Sequence, residues 1–177
     1  MPMIDNIILR TLRERRSIRK YRDEQITDDE LEAVLRAGTF APTSRGQQSP
    51  YVVAVQNVEI CGRLRRMNAS VMGVESDPYY GAPTIVLVFV PADHPNGLYD
   101  GTCVMANMMI AAQAIGLGSC WIHREAEMFA TDEGRELMRA FGLPDGLRGV
   151  GALALGYPDG APADPKPRKD DYTRIVR

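Results

Sequence analysis

The stretch DGTCVMANMMIAAQAIGLGSCWI, residues 100–122, decides the fold. From about Asp100 to Ile115 it is apolar on nearly every face and carries Met105, Met108 and Met109, so it predicts a helix covered all round. Such a helix belongs at the centre of a domain or between subunits. It contains Asn107 and Gln113 and falls short of the roughly 18 apolar residues a membrane span needs, which excludes a transmembrane reading. Gly116-Leu117-Gly118 ends it. Ser119-Cys120-Trp121-Ile122 then predicts a short buried strand that delivers His123 and Arg124 where the backbone re-emerges.

On either side of this centre the pattern alternates helix and strand. Tyr51 to Gln56 and Thr84 to Val90 are β-branched, nearly continuous apolar runs, which mark strands covered on both faces. Gly151 to Leu155 is a weaker third candidate. Ile4, Ile7, Ile8 and Leu12 follow helical spacing, predicting a helix from about residue 3 to 14. Thr27-Asp28-Asp29-Glu30 is a capping box that opens a helix stopping at Gly38. Further helices are expected from about Glu59 to Met67 and from Thr131 to Gly142. Val71 to Pro83, rich in Gly, Tyr and Pro, reads as a ligand-covering loop, and Ala41 to Pro50 as a polar loop.

The chain has 177 residues and no internal repeat or dividing linker, so one domain is expected over 1–177. From Tyr157 onward four prolines and little apolar content predict a tail, 157–177, laid over another surface. A net charge of −2 leaves no overall field to attract nucleic acid. The cysteines, Cys61, Cys103 and Cys120, are odd in number and never in a C-x-x-C pair, which argues against a disulfide framework and a zinc site. With only two histidines, His94 and His123, a multi-histidine metal centre is excluded. Met1 to Asp5 lead straight into helical periodicity without a basic-then-apolar run, so a cytoplasmic location is expected.

Charge is nonetheless concentrated. Seven of the 21 basic residues lie between Arg10 and Arg22, against Glu14 as the only acid there. Within that segment Arg15-Arg16-Ser17-Ile18-Arg19 puts three guanidiniums and a hydroxyl side by side. They repel one another unless an anion sits among them, which points to a phosphate-bearing ligand. A second basic run, Lys166-Pro167-Arg168-Lys169, lies near the other end. If the fold joins the two, they form a phosphate clamp without a glycine-rich loop; a basic run beside a helix is otherwise a solvated face.

Over nearly its whole length the sequence resembles the FMN-dependent nitroreductase family. Arg15-Arg16-Ser17-Ile18-Arg19 is similar to the R-R-S-x-R signature that holds the flavin phosphate and ribityl chain and sends its last cation to the pyrimidine edge. Ala41-Pro42-Thr43-Ser44-Arg45-Gly46-Gln47-Gln48 resembles a loop that contributes to the flavin site across the subunit interface. Asp100 to Ile122 resembles the central dimer helix and the strand beneath the isoalloxazine, and Lys166-Pro167-Arg168 the terminal K-x-R pair. Gly46 stands where many members have Asn, Ser49-Pro50 replaces Pro-Trp, and His123-Arg124 stands where some have Glu-Gly beside flavin N5.

The resemblance implies an α+β, three-layer α/β/α fold with a mixed central sheet, assembled as an obligate homodimer, with the two basic runs meeting across the subunit boundary. It implies FMN as cofactor and Arg15, Arg16, Ser17, Arg19, Thr43, Ser44, Gln48, Asn68, Cys120, Trp121, Ile122, His123, Arg124, Lys166 and Arg168 as candidate cofactor-binding residues. The implied activity is electron transfer from NADH or NADPH through the flavin to nitroaromatics, quinones or other electron-poor small molecules, in a ping-pong cycle. A flavin carries this chemistry itself, consistent with the missing acid–base constellation. His123 is a possible proton donor but reads better as structural, and Cys120 and Trp121 read as core. The alternatives are a flavin-storage protein without turnover, or a dehydrogenase or dehalogenase on the same scaffold.

Overall fold

The computed structural model describes residues 4–177, so the first residue expected in the N-terminal helix lies outside the described residues. The helices are α1 (Ile7–Glu14), α2 (Asp28–Thr39), α3 (Val58–Met72), α4 (Gly97–Ala114), α5 (Glu125–Phe129) and α6 (Asp132–Ala140). The strands are β1 (Tyr51–Val55), β2 (Thr84–Pro91), β3 (Gly118–Ile122) and β4 (Leu147–Gly156). They form one sheet in the order β1-β2-β4-β3. Every named pair is antiparallel, and among the described residues the one parallel contact is an isolated bridge between Ser17 and Ser119. The mixed sheet expected from the resemblance is thus an antiparallel one with a single parallel bridge at its β3 edge.

Strand periodicity divides the core into two layers. Ile85, Leu87 and Phe89 of β2 face Cys61, Leu64 and Met67 of α3 and Met128, Phe129 and Leu137 of α5 and α6. Val86, Val88 and Val90 face Val34 of α2 and Val104, Met105 and Met108 of α4. Helices therefore cover both faces, the α/β/α arrangement. The Thr27–Glu30 capping box forms as expected, and Asn6 caps α1, whose first turn begins later than the apolar spacing implied. α4 is covered on the sheet side, but Leu98 and Tyr99 remain 45% and 68% exposed.

β4 is ten residues long and lies between β2 and β3, well beyond the weak candidate at Gly151 to Leu155. Its composition hides it, because Gly149, Gly151, Ala152, Ala154 and Gly156 carry little β-propensity. The small residues are there for close approach. A Cβ on Gly149 would stand 2.6 Å from the backbone carbonyl carbon of Glu125, and one on Gly151 2.7 Å from Trp121 Nε1. A bulge between Val88 and Phe89 leaves Val150 unpaired, and its side chain packs against Gly101 of α4. Gly149→Ala is expected to cost about 1–3 kcal/mol in chemical denaturation, because backbone rather than a flexible side chain blocks the added methyl.

Candidate functional site

Three bonds dock the arginine run onto the sheet edge. Ile18 N–H donates to the Ser119 carbonyl at 3.0 Å, Arg22 N–H to Tyr157 at 3.0 Å, and Asp159 N–H to Lys20 at 3.0 Å. The Tyr21 hydroxyl, buried beneath, lies 2.7 Å from the Ile18 carbonyl and 3.1 Å from that of Ala154. Residues 17–22 are therefore held against β3 and the end of β4, which puts Arg15 to Arg19 at the margin of the sheet.

The local acids neutralise only part of the cluster. Asp5 pairs with Arg10 and Arg13, and Lys20 with Asp159 at 2.5 Å, so those cations are ordinary partners of nearby carboxylates. Among the described residues Arg15, Arg16 and Arg19 have no carboxylate partner. Arg16 Nη1 donates to the carbonyls of Arg13 at 2.7 Å and Arg15 at 2.6 Å. Arg15 Nη1 and Arg16 Nε are buried and have no hydrogen-bond partner among the described residues. Buried donors are costly when left unpaired, so their orphaning marks a place for an acceptor.

The same side chains, with Ser17 and Arg19, line a cavity of about 860 Å3 to which Lys166 and Arg168 also contribute. The two basic runs thus meet within a single chain, where a subunit boundary between them was expected. The tail residues Ala163 to Arg168 supply the far wall, and residues 159–177 are otherwise exposed.

Arg19 leads from this cavity towards the end of β3. Its guanidinium carbon stands 5.9 Å from the ring centre of Tyr80, and the Tyr80 phenol holds it still more firmly in the charged form. Tyr80 was missed by sequence reasoning, although the loop that carries it was not. Its φ of 59° is left-handed, uncommon for an aromatic residue. Asp77 imposes it: the carboxylate accepts from Tyr79 N–H at 2.8 Å and Gly81 N–H at 2.7 Å, and Arg65 Nε lies 3.1 Å away.

The adjacent Tyr79 points the opposite way, into the core. Its hydroxyl donates to Glu125 Oε1 at 2.9 Å. Asn68, fully buried, donates through Nδ2 to the His123 carbonyl at 2.8 Å and accepts at Oδ1 from Arg124 Nε at 2.8 Å. Both ends of the Asn68 amide are spent, so it positions the His123–Arg124 corner, where Arg124 takes a left-handed φ of 86°. Burial pushes the Glu125 carboxyl up to about 7, against the opposing hydrogen bond from Tyr79, and its Oε2 has no partner. Glu125 was invisible in the sequence because it reads as one more acid on a short helix.

Of the strand residues, Cys120 and Ile122 face the α3 side of the core and Trp121 the α4 side. Burial pushes the Cys120 thiol up although Arg19, Ser17 and Arg15 oppose it, so it stays a neutral core group. His123 is exposed at the strand end, its ring 5.6 Å from that of Trp121.

Thr43, Ser44 and Gln48 lie elsewhere. Ser44 N–H donates to Asp100 Oδ1 at 2.9 Å and Asn96 Nδ2 to Ser44 Oγ at 3.0 Å, which fixes the loop on the start of α4. Gln48 N–H donates to Thr43 Oγ1 at 3.0 Å. Thr43 and Gln48 line a smaller cavity of about 200 Å3 that shares no residue with the arginine cavity.

The fold is thus a three-layer α/β/α domain with a cluster of cationic side chains at the sheet margin, and comparison narrows it further. The nitroreductase family model matches residues 12–157, and the chain belongs to that family. A relative from Archaeoglobus fulgidus, provisionally named an NADH dehydrogenase/NAD(P)H nitroreductase, is 30% identical over 93% of this chain and 88% of its own. The NADPH-flavin oxidoreductase of Vibrio harveyi is 27% identical over 92% of this chain and 70% of its own. The crystal structure of a nitroreductase with bound FMN from Bacteroides fragilis superposes with a TM-score of 0.90 at 30% identity, covering 98% of this chain and all of that one. Among the described residues no helix is long and apolar enough to cross a membrane.

Proposed function

We propose that the protein is an FMN-dependent oxidoreductase, its cofactor phosphate held between Arg15, Arg16 and Ser17 on one side and Lys166 and Arg168 on the other. The observation that carries this reading is that Arg15 and Arg16, each with a buried guanidinium nitrogen that has no partner among the described residues, line one cavity together with the second basic run. A phosphomonoester supplies the acceptors they lack, as charge-assisted bonds. When bound there, FMN would supply the redox chemistry, hydride and electron transfer between NADH or NADPH and a nitroaromatic, quinone or other electron-poor acceptor in a ping-pong cycle.

The chain's own residues then bind and orient. Arg19, anchored by Tyr80, places a permanent positive charge between the phosphate cradle and the strand end, where it favours negative charge arising on a ligand. Asn68, whose Nδ2 also lies 3.4 Å from Glu125 Oε1, holds the His123–Arg124 corner that borders that ligand. Thr43, Ser44 and Gln48 are assigned to the flavin site of a second subunit, since their own chain keeps them away from its arginine cavity.

A homodimer is supported by the apolar surface left open. Ile7 and Ile8 of α1 are 72% and 66% exposed, and Leu98 and Tyr99 of α4 are uncovered as well. Burying these is what an obligate interface does.

The test is anaerobic titration of the FMN-loaded protein with NADH and with NADPH, followed by a nitroarene. The flavin absorbance is expected to bleach with at least one nicotinamide and to return on addition of the nitroarene. Flavin that stays oxidised with both would leave a binding protein without turnover.

A further inference from the structure

Tyr79 and Tyr80 are neighbours that face opposite ways, and packing accounts for only the first. Tyr79 is fully buried, and its hydroxyl donates to Glu125 Oε1 at 2.9 Å. Tyr80 is 39% exposed, so the core gains little from its ring. Yet the chain holds Tyr80 in its left-handed conformation, with Gly81 left-handed as well at a φ of 73°. A Cβ on Gly81 would meet nothing within 4 Å, so the glycine serves the backbone there and not the space around it. A bulky residue in this region is costly and persists only where its surroundings fix it.

Asp77 does the fixing. Its carboxylate oxygens take one backbone N–H each, Oδ1 that of Tyr79 and Oδ2 that of Gly81. Arg65 stands 3.1 Å from Oδ2 through Nε, and its Nη2 donates to the Ala82 carbonyl at 2.7 Å, just beyond the turn. Tyr80 N–H donates to the Asp77 carbonyl at 3.2 Å, and Ala82 N–H to that of Tyr79 at 3.1 Å. With the Tyr79 side chain sunk in the core, the turn is braced at both ends and presents the Tyr80 ring to Arg19.

That ring is a partner that does not cancel the charge it holds. Arg19 pairs with no carboxylate among the described residues, and its guanidinium carbon lies over the Tyr80 ring at 5.9 Å. A carboxylate would hold the cation and neutralise it; an aromatic face holds it and leaves the full charge in place. The strained turn is accounted for if that charge has to stand at one set position.

We propose that Asp77 is a positioning residue for the redox site: by bracing the turn it sets the Tyr80 ring, and the ring sets the Arg19 charge where it favours the reduced, more negative form of the flavin over the oxidised one. The inference rests on the FMN reading above and extends it to Asp77 and Arg65, which lie outside the arginine cavity.

The test reads the midpoint potential of bound FMN in the parent, Asp77→Asn, Arg19→Gln and the double variant, each poised anaerobically with dithionite against a redox dye. Asparagine has the shape of Asp77 but accepts only one of the two N–H groups and sets a donor against the other. Asp77→Asn is expected to lower the preference for reduced over oxidised FMN roughly tenfold, a potential about 30 mV more negative for two electrons. Arg19→Gln is expected to lower it at least as far, and adding Asp77→Asn to that variant to change nothing more, the non-additivity of residues acting through one group. Tyr80→Gly, which suits the left-handed backbone and removes only the ring, carries the same cycle with the same expected shift, so a fold lost in Asp77→Asn does not decide the matter. A potential equal to the parent's in either variant overturns the proposal. So does a shift that survives in the Arg19→Gln background, the mark of a merely structural turn. The potential is set without a nicotinamide, so flavin that NADH and NADPH both leave oxidised defeats the redox reading without deciding this one.

Discussion

Arg15→Ala is expected to weaken FMN binding by roughly ten- to a hundredfold, the worth of one charge-assisted hydrogen bond to a buried acceptor. Arg15 lines the cavity between the basic runs and its Nη1 is buried without a partner among the described residues, so its removal takes away a donor that none of them employs. For the same reason the fold should barely notice. FMN titration followed by flavin fluorescence checks the binding, and the melting temperature of the FMN-free protein checks that stability is unchanged. Arg13→Ala is the contrasting change: that side chain is paired with Asp5, and its loss should leave affinity within a few fold.

The second large effect concerns pH. Glu125 has an ordinary carboxyl pKa of 4.5 when unfolded and about 7 in the folded protein, because burial penalises its charged form. Below pH 4.5 both states hold the proton, and nothing is lost. Between pH 4.5 and about 7 the unfolded chain releases it while the folded chain keeps it, so stability falls across that window and levels off above it. The total loss is on the order of 3 kcal/mol. The ionisable groups facing the carboxyl are Tyr79, Arg124 and Glu127; burial and Glu125 keep the Tyr79 phenol protonated throughout the window. Glu125→Gln is expected to flatten this slope and to gain most over the parent at pH 8, as measured by denaturant unfolding at several pH values. A parallel pair of stability curves would contradict the assignment.

Legibility followed the physics of each element. The capping box at Thr27, the apolar α4 and the continuous apolar β2 were plain because propensity, periodicity and burial agree there. β4 was mostly hidden because its glycines serve close contacts with Glu125 and Trp121 and carry no strand signal. The arginine run was readable as charge without nearby acid. Which of its members are free was not, since Asp5 and Asp159 lie close to their partners only once the helix and tail are folded. Tyr80 and Glu125 gave no pattern at all. Their roles come from a left-handed turn set by the Asp77 carboxylate and from a buried hydrogen-bond partner 46 residues away, neither of which leaves a periodic signal.

The central claim is that the two basic runs close on one phosphomonoester. Comparing the affinities of FMN and riboflavin for the flavin-free protein, at low and at high ionic strength, tests it most directly, because the two differ only in that group. FMN is expected to bind at least roughly a hundredfold tighter at low salt, with the gap narrowing as salt screens the exposed part of the clamp. Riboflavin binding as tightly as FMN would contradict the account.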